Sequence, residues 1–210
     1  MRVNEDEIRD FFSRLFVLAK TEMMYFEAFT NALANSDLIK TIEDDKLFFV
    51  STNNIISTYN HITGHYLRED ESYGVYNDAY WCGYTYYNLY LKTKKPFSYL
   101  FIKFPMNELI DLYPLYHEMD FSHIYDIYLK KEKEITIMQY YKKRRLVSLP
   151  TIAKKTGLSL ATIKQYVSSD DALYSASFQT IYKLHLLFDA PLSIFRKEVE
   201  QISKYYDVED

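Results

Sequence analysis

The side chains whose type and spacing could do chemistry are two pairs of histidines, one cysteine and a run of lysines. His61 and His65 stand four apart, the spacing of a zinc pair on one helix face. Gly64 lies between them, however, and no third ligand is evident. His117-Glu118 followed by His123 does not make HExxH, because position 121 is Phe. Capping or surface roles are expected for these histidines. Cys82 is the sole cysteine, so neither an intrachain disulfide nor a Cys-based zinc site can form. Beside Trp81 on an apolar stretch it reads as a core thiol. No GxSxG, GxxxxGK or GxGxxG occurs, and no carboxylate pair stands out from the surface acids. The expectation is a protein with no catalytic residue, no metal and no cofactor. An enzyme with an unrecognised site in its first 130 residues is the least favoured reading.

The lysines are more informative. From Lys130 to Ser169 there are ten bases against Glu132 and Glu134, a net +8. Residues 1–129 carry −8 and 170–210 carry −4. A basic segment between acidic flanks is a candidate polyanion footprint. A solvated lysine-rich helix face gives the same pattern, so charge alone leaves both open.

Composition points to the elements that must position these groups. Hydrophobic residues are 48% and charged residues 26%, an ordinary globular balance. With only 4 Gly and 5 Pro, tight turns are few, and helices joined by short loops are expected. The 22 Tyr and 14 Phe suit cores and interfaces. Tyr86, Tyr87, Tyr90 and Tyr99 could stack on bases, but a helical core or dimer face is the favoured use. The acidic start is unlike a secretory signal, charges interrupt every apolar run, and a cytoplasmic protein with no membrane span is expected.

Periodicity predicts one long helix or two over 5–34. Residues 47–58 fit a short strand or a helix. Residues 66–78 read as a loop, with Asp78 capping a helix over 79–91. Further helices are expected over 97–103, over 106–113, and from Asp120 to about Lys131.

Residues 134–196 carry the strongest pattern. Ser148 can cap a helix that tolerates Pro150 in its first turn and stops at Gly157. Ser159 then caps a second helix over 160–167. Ala153 is small at the crossing, while Ile152, Leu158 and Ile163 supply apolar contacts. This is the pattern of a helix-turn-helix. Here the sequence resembles the Cro and phage-repressor class of regulators. Ile135, Ile137, Met138, Tyr141 and Leu146 fit that family's first helix. Residues 177–184 look like its fourth helix, and 187–192 like the start of its fifth.

The resemblance implies roles. Ser159, Leu160, Ala161, Thr162, Lys164 and Gln165 would form the cap and exposed face of the recognition helix. Arg144, Arg145, Lys154 and Lys155 would contact phosphates, positioning without specifying. Two features depart from the family. Leu160 and Ala161 are apolar where it usually places polar residues, and the loop Ser168-Ser169-Asp170-Asp171 is acidic where it is often basic. Residues 80–120 are faintly similar to small helical proteins of toxin–antitoxin and phage loci.

The expectation is a mainly α protein. A helical N-terminal domain (1–130) would serve dimerisation or partner binding. A five-helix helix-turn-helix domain (131–200) and an acidic tail (201–210) would follow. The function expected is an autoregulating, antitoxin-like or phage-type repressor that binds double-stranded DNA as a homodimer. The alternative is a non-catalytic inhibitor that binds a cognate toxin, nuclease or other defence protein through the same motif.

Overall fold

The computed structural model describes residues 4–46, 54–68 and 75–195, and the mainly α architecture is present: thirteen α-helices and no strand among those residues. The chain divides into two units, Met1–Ile127 and Tyr128–Asp210. The tail expected over 201–210 lies outside the described residues, as do residues 47–53 of the undecided 47–58 stretch. No helix among the described residues is long and apolar enough to cross a membrane.

In the first unit the 5–34 segment forms two helices, α1 (Glu5–Thr21) and α2 (Phe26–Ala34). Asn4 accepts the Asp6 N–H at 3.1 Å, and Glu5, Asp6 and Glu7 complement the dipole of α1. Met23, at φ 51°, breaks the path between the two helices. Then come α3 (Asp37–Glu43) and α4 (Ile55–Thr63), the latter stopped by Gly64 in the left-handed region at φ 71°.

Helix α5 (Asn77–Thr93) begins before Asp78, which is therefore not its N-cap. The Asp78 carboxylate instead accepts the Ala79 N–H and pairs with the Lys20 ammonium, 58 positions away in sequence. Helix α6 (Phe97–Lys103) is buried along its whole length. Helix α7 (Met106–Tyr116) runs three residues beyond its expected end, through Pro114. Asp120 accepts the Ser122 N–H at 2.8 Å at the start of α8 (Phe121–Lys131).

The core of this unit is aromatic. Phe12 and Phe97 lie 4.7 Å apart between ring centroids, Tyr86 meets Phe101 edge-on at 4.8 Å, and Phe16 meets Phe29 edge-on at 5.1 Å. Buried tyrosines need acceptors for their hydroxyls. Tyr86 donates to the Phe104 carbonyl and Tyr90 to the Ile42 carbonyl. Tyr86, Tyr87, Tyr90 and Tyr99 are all buried, which leaves no ring face for a base. Helices α1 and α5 meet at Gly83, where an added Cβ would lie 2.6 Å from the Ser13 Cα.

In the second unit, α9 (Ile137–Arg144), α10 (Leu149–Thr156), α11 (Leu160–Ser168), α12 (Asp170–Tyr174) and α13 (Phe178–Phe188) precede a 3-10 turn at Leu192–Phe195. Helix α10 packs on α11 and α13, and α11 on α9 and α12. Tyr141 stacks on Phe188 at 5.5 Å, and Ile152, Ile163 and Leu184 are fully buried in the same unit. The helix register expected downstream needs correcting. Asp170 and Asp171, read as part of an acidic loop over 168–171, open a short helix (Asp170–Tyr174), and Phe178–Phe188 is therefore the fifth helix of this set rather than the fourth. Leu146, assigned to the first helix, follows the cap of α9 at φ 51° and is 91% exposed.

Candidate nucleic-acid interface

The same local chemistry starts three helices of the second unit. Ser148, Ser159 and Ser177 each accept the N–H of a threonine three residues on, at 3.3, 3.0 and 3.3 Å. Each serine hydroxyl also lies within hydrogen-bonding distance of that threonine's hydroxyl. A serine cap satisfies one of the orphan donors of a helix start, which is why these boundaries are sharp. Gly157 ends α10 at φ 69°, in the left-handed conformation that a turn between two helices requires.

That turn brings α10 and α11 together with a defined exposed strip on α11. Leu160, Ala161, Lys164, Gln165 and Ser168 are exposed, while Ile163 is fully buried against the rest of the unit. At about 100° per residue these exposed positions form one stripe. The side chains of Lys164 and Gln165 have no hydrogen-bonding or ionic partner among the described residues. The same holds for Lys142, Lys143, Lys154 and Lys155. The lysines of α9 and α10 fall in the last turns of their helices, where cations also favour the dipole.

Of the residues assigned from sequence, the structure leaves Lys154, Lys155, Ser159, Leu160, Ala161, Lys164 and Gln165 exposed, and it engages three others. Thr162 is half-buried, with its hydroxyl 2.8 Å from that of Ser159, so it completes a cap. Arg145 donates through Nε to the Phe188 carbonyl at 2.9 Å and pairs with Asp189 at 3.1 Å, closing the end of α13. Arg144 donates to the Tyr140 hydroxyl at 2.9 Å and lies over that ring, but stays exposed.

One residue was missed. The Lys183 ammonium lies 3.9 Å from where a Cβ on Gly157 would sit, which brings a cation from α13 to the helix-turn-helix turn. Only the packing of α13 on α10 reveals it, since 26 positions of sequence separate the two residues.

The acidic loop has a structural use. Asp170 accepts the Ile137 N–H at 2.8 Å, and Thr136 donates to the Val167 carbonyl at 2.9 Å. These two bonds tie the start of α9 to the end of α11. Asp170 and Asp171 also lie in the first turn of α12.

The other chemical candidates resolve into packing or surface roles. His65 lies past the Gly64 cap, off the helix that carries His61, and both are exposed. His117 stacks on Tyr113 at 4.4 Å, and its Nδ1 lies 2.8 Å from the Tyr113 carbonyl oxygen. Among the described residues, no group of three or more His, Cys, Asp or Glu gathers as a metal site. Cys82 is fully buried, and burial pushes its thiol far above the usual range, away from the reactive thiolate.

No family model, no curated protein and no solved structure matches this chain.

Proposed function

We propose that this chain is a non-catalytic, cytoplasmic regulator that binds double-stranded DNA through α10 and α11 and represses its own operon as an antitoxin-like or phage-type repressor. The observation that carries this reading is a serine-capped, glycine-turned helix pair whose second helix exposes Lys164 and Gln165 with no side-chain partner among the described residues. Lys154 and Lys155, in the last turn of α10 just before the Gly157 turn into that helix, supply positive charge that no described carboxylate neutralises, and Lys142 and Lys143 end α9 in the same way. Such cations give affinity through counterion release, and the helix face adds base preference. A homodimer would present two such helices to paired half-sites.

The test is a gel shift of the full chain against its own upstream DNA at two salt concentrations. Lys154→Ala with Lys155→Ala should weaken binding to all sequences alike. It should also flatten the salt slope by about 1.8, the contribution of two phosphate contacts. Binding that ignores salt would overturn the reading.

A second reading, a protein-binding inhibitor of a toxin or nuclease, is favoured by α13. Phe178 and Tyr182 stack at 6.2 Å on its exposed side, and Leu186 continues the row. A purified toxin or nuclease partner whose binding is lost in Tyr182→Ala, with DNA binding intact, would support that use.

A further inference from the structure

The α11 stripe has an uneven chemistry that the general DNA-binding reading does not use. Its first turn presents Leu160 and Ala161, with no hydrogen-bonding group on either side chain. Leu160 is 40% exposed, a large apolar side chain left at the surface between two serine caps. One turn further on, the stripe turns polar with Lys164 and Gln165, whose side chains have no partner among the described residues.

A protein partner that buried the apolar pair would also have to desolvate or neutralise Lys164. The neighbouring charge, from Lys164 itself and from Lys154 and Lys155 in the turn of α10 that leads into α11, favours a polyanion instead. Duplex DNA offers one apolar feature at its major-groove base edges, the thymine 5-methyl group. A G·C edge offers donors and acceptors but no methyl group, so Leu160 would cover polar groups there without an apolar contact to offset their desolvation. An amide such as that of Gln165 matches the paired donor and acceptor of adenine.

We infer that the exposed face of α11 selects A·T-rich duplex DNA, with thymine methyl groups seated against Leu160 and Ala161 and an adenine edge held by Gln165. This rests on the DNA-binding reading and adds to it the class of sequence that is read. Four residues of helix rise about 6 Å, so the adenine falls about two base-pair steps from the thymine contact.

The experiment selects binding sites for the full chain from a random duplex pool at low salt. Each thymine of a selected site is then replaced in turn by deoxyuridine, which removes only the methyl group. The expected result is A·T enrichment, with one or two positions at which loss of the methyl weakens binding about fourfold. Leu160→Ser should abolish the thymine-over-uracil preference while leaving the salt slope and the helical circular dichroism intact. Gln165→Ala should relax the adenine position alone. A selected pool with no base preference or a G·C preference overturns the inference and leaves the DNA-binding reading standing. Equal binding of every deoxyuridine duplex, or a preference that survives Leu160→Ser, does the same. Failure to bind any duplex at low salt overturns both.

Discussion

The two units of this protein spend their side chains in opposite ways. In the first unit, a cluster of rings that includes Phe12, Phe16, Tyr86 and Tyr90 faces inward, and its tyrosines bond carbonyls of the same unit, Tyr86 to Phe104 and Tyr90 to Ile42. In the second unit, short capped helices leave Lys154, Lys155, Lys164 and Gln165 facing solvent with no side-chain partner among the described residues. The contrast separates two meanings of an unusual composition. Part of the tyrosine and phenylalanine excess builds cores, as Phe12, Phe16, Tyr86 and Phe97 do in the first unit and Tyr141 and Phe188 in the second. The lysine excess of 130–164 lies on the surface and can act on something outside the molecule. Changes in the first set should therefore be read in stability, and changes in the second in binding.

The largest effect is expected at Phe16. It is fully buried and its ring meets Phe12, Phe29, Tyr86 and Phe101. Phe16→Ala should cost about 4 kcal/mol, from lost burial and the cavity left behind, as measured by urea unfolding. A cost under about 1 kcal/mol would mean that the aromatic cluster relaxes around the gap and is not the closed core described above.

Next is the charge state of Glu43. Its carboxylate accepts the Phe97 N–H at 2.8 Å, joining the end of α3 to the start of α6. Burial pushes its pKa from the usual 4.5 up to about 7, only partly offset by that hydrogen bond, and Asp44 adds to the rise. The folded protein therefore keeps a proton that the unfolded chain loses above pH 4.5. Its stabilising contribution is full below that pH and fades as pH rises through 7. Glu43→Gln can still accept the N–H and carries no charge. It should raise stability at pH 8 by about 2–3 kcal/mol relative to the parent, with little change at pH 4. Equal effects at the two pH values, followed by thermal melting, would remove the titration from the account.

Gly83 gives an intermediate effect. A Cβ there would lie 2.6 Å from the Ser13 Cα and 2.9 Å from the Phe16 ring, so α1 and α5 would have to move apart. Gly83→Ala should cost about 2 kcal/mol despite its higher helix propensity. The surface pair behaves in the opposite sense. Lys154→Ala with Lys155→Ala should cost under about 1 kcal/mol of stability, the loss of two favourable charges at the end of α10. The same change should weaken DNA binding about tenfold, because two phosphate contacts go. If stability falls sharply and binding does not, the division between a closed and an outward-facing unit fails.

What could be read from sequence follows from how local the responsible chemistry is. Ser148, Gly157 and Ser159 were legible because a cap bonds a group three residues away and a left-handed C-terminus needs only its own backbone freedom. Asp120 at the start of α8 was legible for the same reason. Contacts that were not legible join residues far apart in sequence. Asp78 pairs with Lys20 across 58 positions, and Arg145 bonds the Phe188 carbonyl across 43. The fourth and fifth helices were shifted because Ser169, which accepts the Ala172 N–H, starts a short helix within a segment that looked like a charged loop. In the candidate interface, exposure of the α11 stripe was legible from helical spacing. The capture of Thr162 was not, since its hydroxyl meets Ser159 only once the cap has formed.

The smallest expected effect tests where the outward-facing surface ends. Leu146 follows the C-cap of α9 at φ 51°, a conformation that costs a side-chain-bearing residue about 1–2 kcal/mol. Its side chain is 91% exposed, so little packing offsets that strain. Leu146→Gly would relieve the strain but would also loosen the unfolded chain, which takes back roughly 0.5–1 kcal/mol. The net expectation is a gain of about 0.5–1 kcal/mol in thermal unfolding. Strained, exposed positions are often kept where they touch a ligand, and Leu146 directly follows Arg144-Arg145 in the basic segment. Unchanged DNA affinity in Leu146→Gly would leave the turn before α10 outside the interface. Reduced affinity in the stabilised variant would extend it to the turn before α10, because a residue with no fold-stabilising role would then be retained for binding.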